Sequence, residues 1–440
     1  MGESHKTTGK PCQDYSVFFS DEESGIYIAI VCDGHGGDRY FRSDRGSRFL
    51  AEIARNTILE FIQGIPGETF SGQGLVQAGP GEHPDGYGTQ DAALRRLFSS
   101  IIFRWQKAIE DDVTETPLAP EELKGVKPEH VKAFQEGKDI EKAYGSTLMA
   151  FFQSAGYWVA FHIGDGHCFM FTADGRIIEP VPWDERCFLN STTSICDRDA
   201  LGGFRYAWQG GDSRPFAVFL GTDGLDDSFG DGDRLHTFYL GILRSLVEEG
   251  EEATKQSLVE ALPDISARGS QDDMSISFVY DEQLLEEKTR EFAMKQLSSM
   301  RQELEAAKKG VVALESKKEE LSESYSEIQE KIQEQEKADA GIKGRIERIR
   351  RLICRGEQEC SSLDRKREDL ESSKSSLTRQ GEKARIELKY ATNDLARARA
   401  TVSGINLRIE AMEGFLGMRK VADQEDEASI PEDEVDKGQS

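Results

Sequence analysis

Residues 26–37 read IYIAIVCDGHGG, and this segment says most about how the chain folds. Its first seven residues are nearly all apolar, which is typical of a strand buried on both faces. The strand ends at once in an acidic, glycine-rich turn that starts with Asp33. A carboxylate at the mouth of a buried strand costs free energy unless it is paired or binds a cation. The segment therefore predicts a buried sheet with a functional residue at one end.

Outside this segment, the first 282 residues alternate between short apolar runs and helical patterns. Strands are predicted over 15–20, 146–153, 157–163, 167–172, 216–221 and 274–280. Helices are predicted over 39–63, 91–112, 129–135, 233–249 and 252–262. Residues 64–90 and 180–214 are rich in Gly, Pro, Ser and Asp, which favours long loops. Strands placed before and after long helices favour a mixed α/β sandwich over alternating βαβ units.

Three more aspartates lie at the ends of predicted strands: Asp165, Asp223 and Asp272. A single Asp-Gly pair is more often a turn than a ligand. The recurrence of aspartate at strand ends, with few basic residues nearby, favours bound cations instead. Because all the donors are oxygens, the expected ions are Mg²⁺, Mn²⁺ or Ca²⁺ rather than Zn²⁺.

A series of short motifs links these aspartates in one order along residues 1–282. It reads GESH at 2–5, CQD at 12–14, DGHGG at 33–37, YGST at 144–147, GDG at 164–166, TDGLDD at 222–227 and GSQDDMS at 269–275. The series resembles the motifs of the metal-dependent protein phosphatases (the PPM, or protein phosphatase 2C-like, family), and its opening is most similar to bacterial-type members.

The resemblance implies an α+β fold, a four-layer α-β-β-α sandwich with a centre of two Mn²⁺ or Mg²⁺ ions between its sheets. It also implies hydrolysis of phosphoserine and phosphothreonine by attack of a hydroxide that bridges the two metals. By the same resemblance, Asp33 would bridge the ions, and Gly34 would offer its backbone carbonyl. Asp223 and Asp272 would complete the first ion's ligands. Gln13 stands where many relatives have a Glu that binds the second ion through water.

Further roles follow from the same comparison. Asp165, together with Asp223, resembles a third and weaker metal position, and Asp227 would support it. Asp14 matches the acid that lies beside the second metal. His35 resembles the general acid that protonates the leaving serine oxygen, a role worth about 10²–10⁴-fold in rate.

The chain departs from the family pattern near its N-terminus. Gly9 occupies the spacing at which many relatives carry an Arg that grips phosphate. We expect Lys6, Lys10 and His5 to substitute as point donors, with less specificity than a bidentate Arg. Gln13 can hydrogen-bond a metal-bound water but brings no charge.

Beyond residue 283 the pattern changes to an apolar repeat with 3,4 spacing, which runs from Leu297 to Leu416. This predicts a coiled coil over 283–420, followed by an acidic, disordered tail over 421–440. A straight rod of about 120 residues would be roughly 180 Å long. Gly341 and Gly344 would instead allow a hairpin, but the unbroken register favours the rod. Polar residues or glycines interrupt the repeat at 318, 335, 339, 356, 367, 374 and 381.

Composition narrows the possible partners. The formal net charge is −26, from 81 acidic and 55 basic residues, which argues against nucleic acid and anionic membranes. No apolar run approaches the roughly 18 residues that span a bilayer, and the polar N-terminus lacks a signal core. We therefore predict a cytoplasmic protein. Its expected partners are a phosphoprotein substrate and either another copy of itself or another coiled-coil chain.

Three functions remain open at this stage. The first is an active phosphatase fused to a coiled-coil arm, which the retention of Asp33, Asp223 and Asp272 favours. The second is a weak or inactive phosphatase-like scaffold or sensor, which Gln13 and the missing Arg favour. The third is a filament protein that works without its first domain.

Overall fold

The computed structural model describes residues 1–72, 74–83, 86, 88–188, 191–211, 214–230, 232–351 and 357–417. The chain divides into two units, Met1–Phe292 and Ala293–Ser440. The acidic tail predicted over 421–440 lies outside the described residues. No helix in the described ranges is long and apolar enough to cross a membrane.

Ten strands in the described part of the first unit form two antiparallel sheets. They are β1 (Tyr15–Asp21), β2 (Ile26–Cys32), β3 (Val76–Ala78), β4 (Leu148–Ser154), β5 (Tyr157–Ile163), β6 (His167–Thr172), β7 (Ile177–Ile178), β8 (Arg205–Gly210), β9 (Pro215–Gly221) and β10 (Ile276–Tyr280). The six-stranded sheet has the order β1-β2-β4-β5-β8-β3, and the four-stranded sheet has the order β10-β9-β6-β7.

The helices of this unit flank the sheets and connect the strands. They are α1 (Glu3–Thr8), α2 (Ser43–Gly64), α3 (Thr89–Glu115), α4 (Pro128–Gln135), α5 (Ala200–Gly203), α6 (Asp223–Phe229), α7 (Gly232–Glu249) and α8 (Glu251–Arg268). Short 3₁₀ turns lie at Gly67–Phe70 and Ile140–Tyr144.

The alternation of side chains along β2 places one set on each face of the larger sheet. Ala29 and Val31 pack between the two sheets, whereas Ile28 and Ile30 join the core beneath α2 and α3. On the far side of the smaller sheet, the Tyr239 ring of α7 stacks on Phe219 of β9 with 4.5 Å between centroids. These contacts produce the layer order α-β-β-α, which confirms the predicted fold class.

Two predicted loops contain strands. β3 lies within 64–90 and β8 within 180–214. In β8, Tyr206 and Trp208 face the helical side and Ala207 faces the other sheet. The predicted end of α8 at 262 was also wrong, because the helix continues through Pro263. Few residues of α8 are buried, so water can bond the carbonyl that a proline leaves free.

The second unit is a helical hairpin built from α9 (Leu285–Arg351) and α10 (Glu357–Phe415). Three ion pairs join the helices in antiparallel order: Arg301–Glu413 at 2.7 Å, Glu315–Arg399 at 2.7 Å and Glu336–Lys374 at 3.2 Å. The expectation of a continuous rod is therefore wrong. Gly341 and Gly344 lie inside α9, so the turn between the two helices is at neither glycine, and the connecting residues 352–356 lie outside the described residues.

The first turns of α9 belong to the first unit. There the Phe292 ring contacts Phe171 and Phe216, with centroids 5.0 and 6.2 Å away. The predicted domain boundary at 282 precedes these turns, which pack on the smaller sheet.

Candidate metal centre

The predicted acidic ligands meet at one end of the two sheets. Asp33 directly follows β2, and Asp223 is the first residue of α6, which follows β9. Asp272 precedes β10, whose residue Ile276 pairs with Gly221 of β9. Since neighbouring antiparallel strands begin and end together, Asp223 and Asp272 reach the same edge from opposite chain directions.

Asp33 and Asp223 are in direct hydrogen-bond contact through their carboxyl groups. Burial raises the pKa of Asp33 well above its ordinary value, and the charges of Asp223, Asp14 and Asp272 add to this shift. Burial also raises the pKa of Asp223 to about 7, with further repulsion from Asp165 and Asp272. The two groups can therefore share a proton near neutral pH, and bound cations would take the place of that proton.

Asp14 lies near this pair and is buried. Its Oδ2 accepts a hydrogen bond from Thr222 Oγ1 at 2.7 Å, which joins it to the turn just before Asp223. The Thr222 hydroxyl also accepts the Ser275 N–H at 3.0 Å. Burial raises the pKa of Asp14 well above its ordinary value, although the Thr222 bond opposes this shift.

Backbone contacts fix the turn that carries Asp33. The Asp33 N–H donates to Thr147 Oγ1 at 3.1 Å, and the Thr147 N–H donates to the Asp33 carbonyl at 2.8 Å. Gly34 is buried, and a Cβ placed on it would lie 2.5 Å from the Gln13 carbonyl oxygen. Only glycine fits there, which holds the Gly34 backbone close to Gln13.

Gln13 has one buried side-chain oxygen without a partner. Its amide nitrogen donates to Ser43 Oγ and, at 3.3 Å, to the His35 carbonyl. Since the Ser43 hydroxyl itself donates to that carbonyl at 2.9 Å, the amide orientation is fixed. Gln13 Oε1 is then a buried acceptor without a donor, which is rare and indicates a missing ligand or water.

Asp165 and Asp227 extend the acidic cluster. Burial raises the pKa of Asp165, and repulsion from Asp227 adds to the shift. Among charged neighbours, Asp165 contributes most to the raised pKa of Asp223. The structure thus brings Asp165 near Asp223, the pair for which the sequence predicted a third metal position.

The carboxylates do not form a ready-made coordination shell. Within the described residues, no three Asp, Glu, His or Cys side chains are arranged to hold a metal ion. Nevertheless, the residues present fit a hard cation. The donors are oxygens, Gln13 Oε1 is unpartnered, and the Asp33 and Asp223 carboxyl groups are close enough to share a proton or a cation. Because no coordination shell is preformed in the described part of the chain, the side chains must move for an ion to bind.

His35 lies beside this cluster and is neutral at pH 7. Its pKa is lowered to about 4, chiefly by burial and also by the charges of Lys142 and Arg39, while the charge of Asp197 opposes the shift. Its Nε2 is 2.6 Å from Ser194 Oγ, in the segment that was predicted to form a loop beside the cleft. A protonated general acid therefore requires a bound anion that raises this pKa.

The predicted phosphate donors at the N-terminus do not share one environment. Lys6 is exposed and lies 3.5 Å from Glu3, and Lys10 is also exposed. His5 is buried, and its Nδ1 is 2.7 Å from Asp273 Oδ2. His5 is thus a buried hydrogen-bond partner of Asp273, whereas the sequence analysis predicted it as a phosphate donor.

Sequence reasoning missed the hydroxyl groups that orient the acids. Thr147 binds the Asp33 backbone, Thr222 binds Asp14, and Ser43 fixes Gln13. Thr147 and Thr222 stand within the motifs YGST and TDG. Thr222 stands directly before the strand-end Asp223, and that adjacency would have identified it, whereas the contact of Thr147 with Asp33 spans 114 residues and has no local signal.

The model of the family described as protein phosphatase 2C matches residues 1–263 of this chain. The chain therefore belongs to the protein phosphatase 2C family. At the level of the family, this confirms the predicted class, a protein serine/threonine phosphatase. No curated protein matches the sequence.

Several solved structures are similar to the chain. Serine/threonine phosphatase Stp1 from Staphylococcus aureus has 14% identity over 61% of this chain and 88% of its own, with a TM-score of 0.36. PppA from Pseudomonas aeruginosa has 17% identity over 62% of this chain and 91% of its own, with a TM-score of 0.34. The catalytic domain of the phosphatase PstP, in complex with two manganese ions, has 16% identity over 61% of this chain and 97% of its own, with a TM-score of 0.31.

Proposed function

We propose that the first unit hydrolyses phosphoserine and phosphothreonine in proteins, using two Mn²⁺ or Mg²⁺ ions. Asp33, Asp223, Asp272 and the Gly34 carbonyl would hold the ions, with Gln13 beside the second. The observation that carries this proposal is the contact between the Asp33 and Asp223 carboxyl groups inside a cluster of like charge. Crowded carboxylates without basic partners are typical of divalent-cation sites.

When bound, two such ions lower the pKa of a shared water and neutralise the phosphoryl oxygens during in-line displacement. The chain's own residues supply the orientation. Thr147 holds the backbone of Asp33, and the Asp14–Thr222 bond holds the turn before Asp223. Asp165, together with Asp223, would bind a third ion, and Asp227 would support it.

We propose that His35 gives its Nε2 proton to the leaving serine oxygen, with Ser194 orienting the ring. The ring is neutral in the free protein because its pKa is low. A bound substrate phosphate would raise the pKa, since a nearby dianion stabilises the protonated imidazole, and His35 could then act as the acid. Lys6 and Lys10 remain the proposed contacts to the phosphate, and their exposure supports this.

A phosphatase-like scaffold is the second candidate. The neutral Gln13 in place of a charged ligand, and the uncharged state of His35, favour weak turnover. In that case the first unit would bind a phosphoprotein in the same cleft without hydrolysing it.

The second unit is proposed to be an antiparallel coiled coil. Buried apolar residues such as Leu304, Leu363 and Leu395 support a seam between its helices. Because the hairpin satisfies this seam within one chain, self-association is not required by it. A homo-oligomer or another coiled-coil partner, and a cytoplasmic location, remain predictions.

Hydrolysis of p-nitrophenyl phosphate and of a phosphoserine peptide by the full chain, with and without Mn²⁺, tests the proposal. We expect Mn²⁺-dependent turnover that falls at least about 10²-fold in Asp33→Asn and Asp223→Asn. Asp91→Asn is the control, because Asp91 is a buried carboxylate bonded to His83 and Tyr206 outside the cluster. Metal binding without turnover would favour the scaffold, and equal activity in all variants would contradict both candidates.

A further inference from the structure

Asp273 is a buried carboxylate that binds three groups from the N-terminal end of the chain, about 260 or more residues away in sequence. Its Oδ1 accepts the Gly2 N–H at 2.5 Å. Its Oδ2 accepts the Gln13 N–H at 2.6 Å and lies 2.7 Å from His5 Nδ1. Buried carboxylates with this many donors fix the geometry around them.

The N-terminal residues Gly2, Ser4 and His5, here called the N-terminal clasp, contact the loop that carries Asp272. The Ser4 N–H donates to the Gln271 carbonyl at 3.0 Å. A Cβ placed on Gly2 would lie 2.4 Å from the Asp272 carbonyl carbon, so Gly2 packs directly against that peptide. The clasp thus contacts three consecutive residues of the ligand loop.

This loop has a backbone conformation that needs support. Gln271 has a φ of 65°, in the left-handed region that residues other than glycine rarely adopt. The Ser4 bond to its carbonyl and the hydrogen bonds to Asp273 hold the chain on either side of Asp272. Ser266 also holds this loop, because its carbonyl accepts the Gln271 N–H at 2.9 Å and its hydroxyl donates to the Asp272 carbonyl at 2.8 Å. Loss of the clasp would therefore shift the Asp272 carboxylate without unfolding the loop.

Asp273 also connects the two predicted ligands that lie farthest apart in sequence. It is the neighbour of Asp272, and its Oδ2 holds the main chain of Gln13. A single carboxylate therefore sets the position of one ligand of the first ion and one of the second.

We propose that Asp273 and the N-terminal clasp are positioning residues that set the affinity of the centre for divalent cations. His5 acts through Asp273 and does not contact substrate. The inference rests on the metal centre of the proposed function. Residues that orient metal ligands typically change metal affinity by about 10–100-fold when removed.

The chain offers a matched control. His83 Nδ1 lies 2.9 Å from the buried carboxylate of Asp91, in a second Asp–His pair of the first unit. The side chains of the two pairs are similarly buried, at 9% and 2% exposure for His5 and Asp273 against 15% and 0% for His83 and Asp91. Loss of either histidine removes the same kind of bond, but only His5 lies beside the ligand loop.

The test is calorimetric titration of Mn²⁺ into the full-length chain and into His5→Ala, His5→Asn and His83→Ala. We expect the Mn²⁺ Kd to rise about 10-fold or more in His5→Ala. In His5→Asn it should return to within about 3-fold of the parent, because the Asn amide can donate to Asp273 as Nδ1 does. His83→Ala should bind Mn²⁺ as the parent does. Thermal unfolding without metal shows whether both alanine variants are folded.

A second variant covers the case in which His5→Ala does not fold. Asp273→Asn keeps the shape but turns one of the two acceptors into a donor, which faces either the Gly2 N–H or the Gln13 N–H. It should weaken Mn²⁺ binding about 10-fold, whereas Asp91→Asn should not. An unchanged Kd in the folded His5 and Asp273 variants, or an equal loss in the His83 and Asp91 controls, would overturn the proposal.

Turnover separates positioning from substrate contact. If His5 only positions ligands, excess Mn²⁺ restores the parent KM for a phosphoserine peptide in His5→Ala. A raised KM that persists at saturating Mn²⁺ would instead make His5 a phosphate donor and overturn the inference. Because Mn²⁺ binding is measured without substrate, absence of phosphatase activity would contradict the proposed function and leave this result standing.

Discussion

Two regions of this chain, the hairpin and the candidate metal centre, bury charge in opposite ways. In the hairpin, Asp339 is mostly buried but lies 2.6 Å from Lys343, and its pKa is lowered by that bond and by Arg367 and Lys374. In the first unit, Asp33 and Asp223 touch each other, and both pKa values are raised. The difference teaches that matched charges hold a fold together, whereas crowded like charges indicate a missing cation.

Neutralising one of the crowded carboxylates should lower phosphatase activity and raise the stability of the metal-free fold. Asp223→Asn should lose at least about 10²-fold in Mn²⁺-dependent turnover. At pH 8 without metal the variant should unfold at a higher temperature than the parent. Its free energy of unfolding should be larger by on the order of 1–3 kcal/mol, because the repulsion between residues 223 and 33 is removed. Thermal unfolding in chelator checks this. Destabilisation instead would mean that the carboxylates are matched, and the comparison would fail.

The role of His35 predicts a difference between substrates. His35→Ala should lower kcat for a phosphoserine peptide by about 10²-fold, because the serine oxygen needs a proton to leave. It should change kcat for p-nitrophenyl phosphate much less, since nitrophenolate leaves without one. Steady-state rates on both substrates provide the check, and an equal loss on both would remove His35 as the acid.

The raised pKa values predict how metal-dependent stability varies with pH. The pKa of Asp223 is about 7 in the folded chain, above the roughly 3.9 of an unfolded Asp. The contribution of protonated Asp223 to the stability of the metal-free fold is therefore fully present below about pH 4 and is lost as pH rises through about 7. Mn²⁺ should raise the melting temperature more at pH 8 than at pH 5.5. A larger effect at the lower pH would contradict the assignment.

The smallest effect is expected in the hairpin. Asp339→Ala should lower the melting temperature of the second unit slightly, because Lys343, Arg367 and Lys374 lose a common partner. Phosphatase activity at saturating Mn²⁺ should not change. Circular dichroism melting is the measurement, and a rise in helix stability would show that this matched cluster does not stabilise the hairpin.

The sequence predicted the larger part of the fold and of the acidic cluster, because both depend on local patterns. Apolar runs that end in aspartate marked β2 and β9 together with Asp33 and Asp223. β8 was missed because its alternation is short and lies between segments rich in Gly, Ser and Asp. The burial of His5 depends on Asp273, far away in sequence, and no local pattern contains that contact.

The hairpin could have been predicted from the sequence. The polar interruptions at 335 and 374, and those at 339 and 367, are nearly symmetric about the reversal between Arg351 and Glu357. Such symmetry predicts that the interruptions meet across two antiparallel helices. The apolar repeat alone does not distinguish a hairpin from a rod, because both keep the same spacing.

Calorimetric titration of Mn²⁺ into the metal-free chain at pH 7.5, in two buffers of different ionisation enthalpy, tests the central claim most directly. We predict at least two bound ions and net proton release, because Asp33 and Asp223 give up a shared proton. Both signals should be lost or strongly reduced when Asp33 and Asp223 are replaced by Asn together. No binding by the parent chain, or unchanged binding by this double variant, would contradict the account.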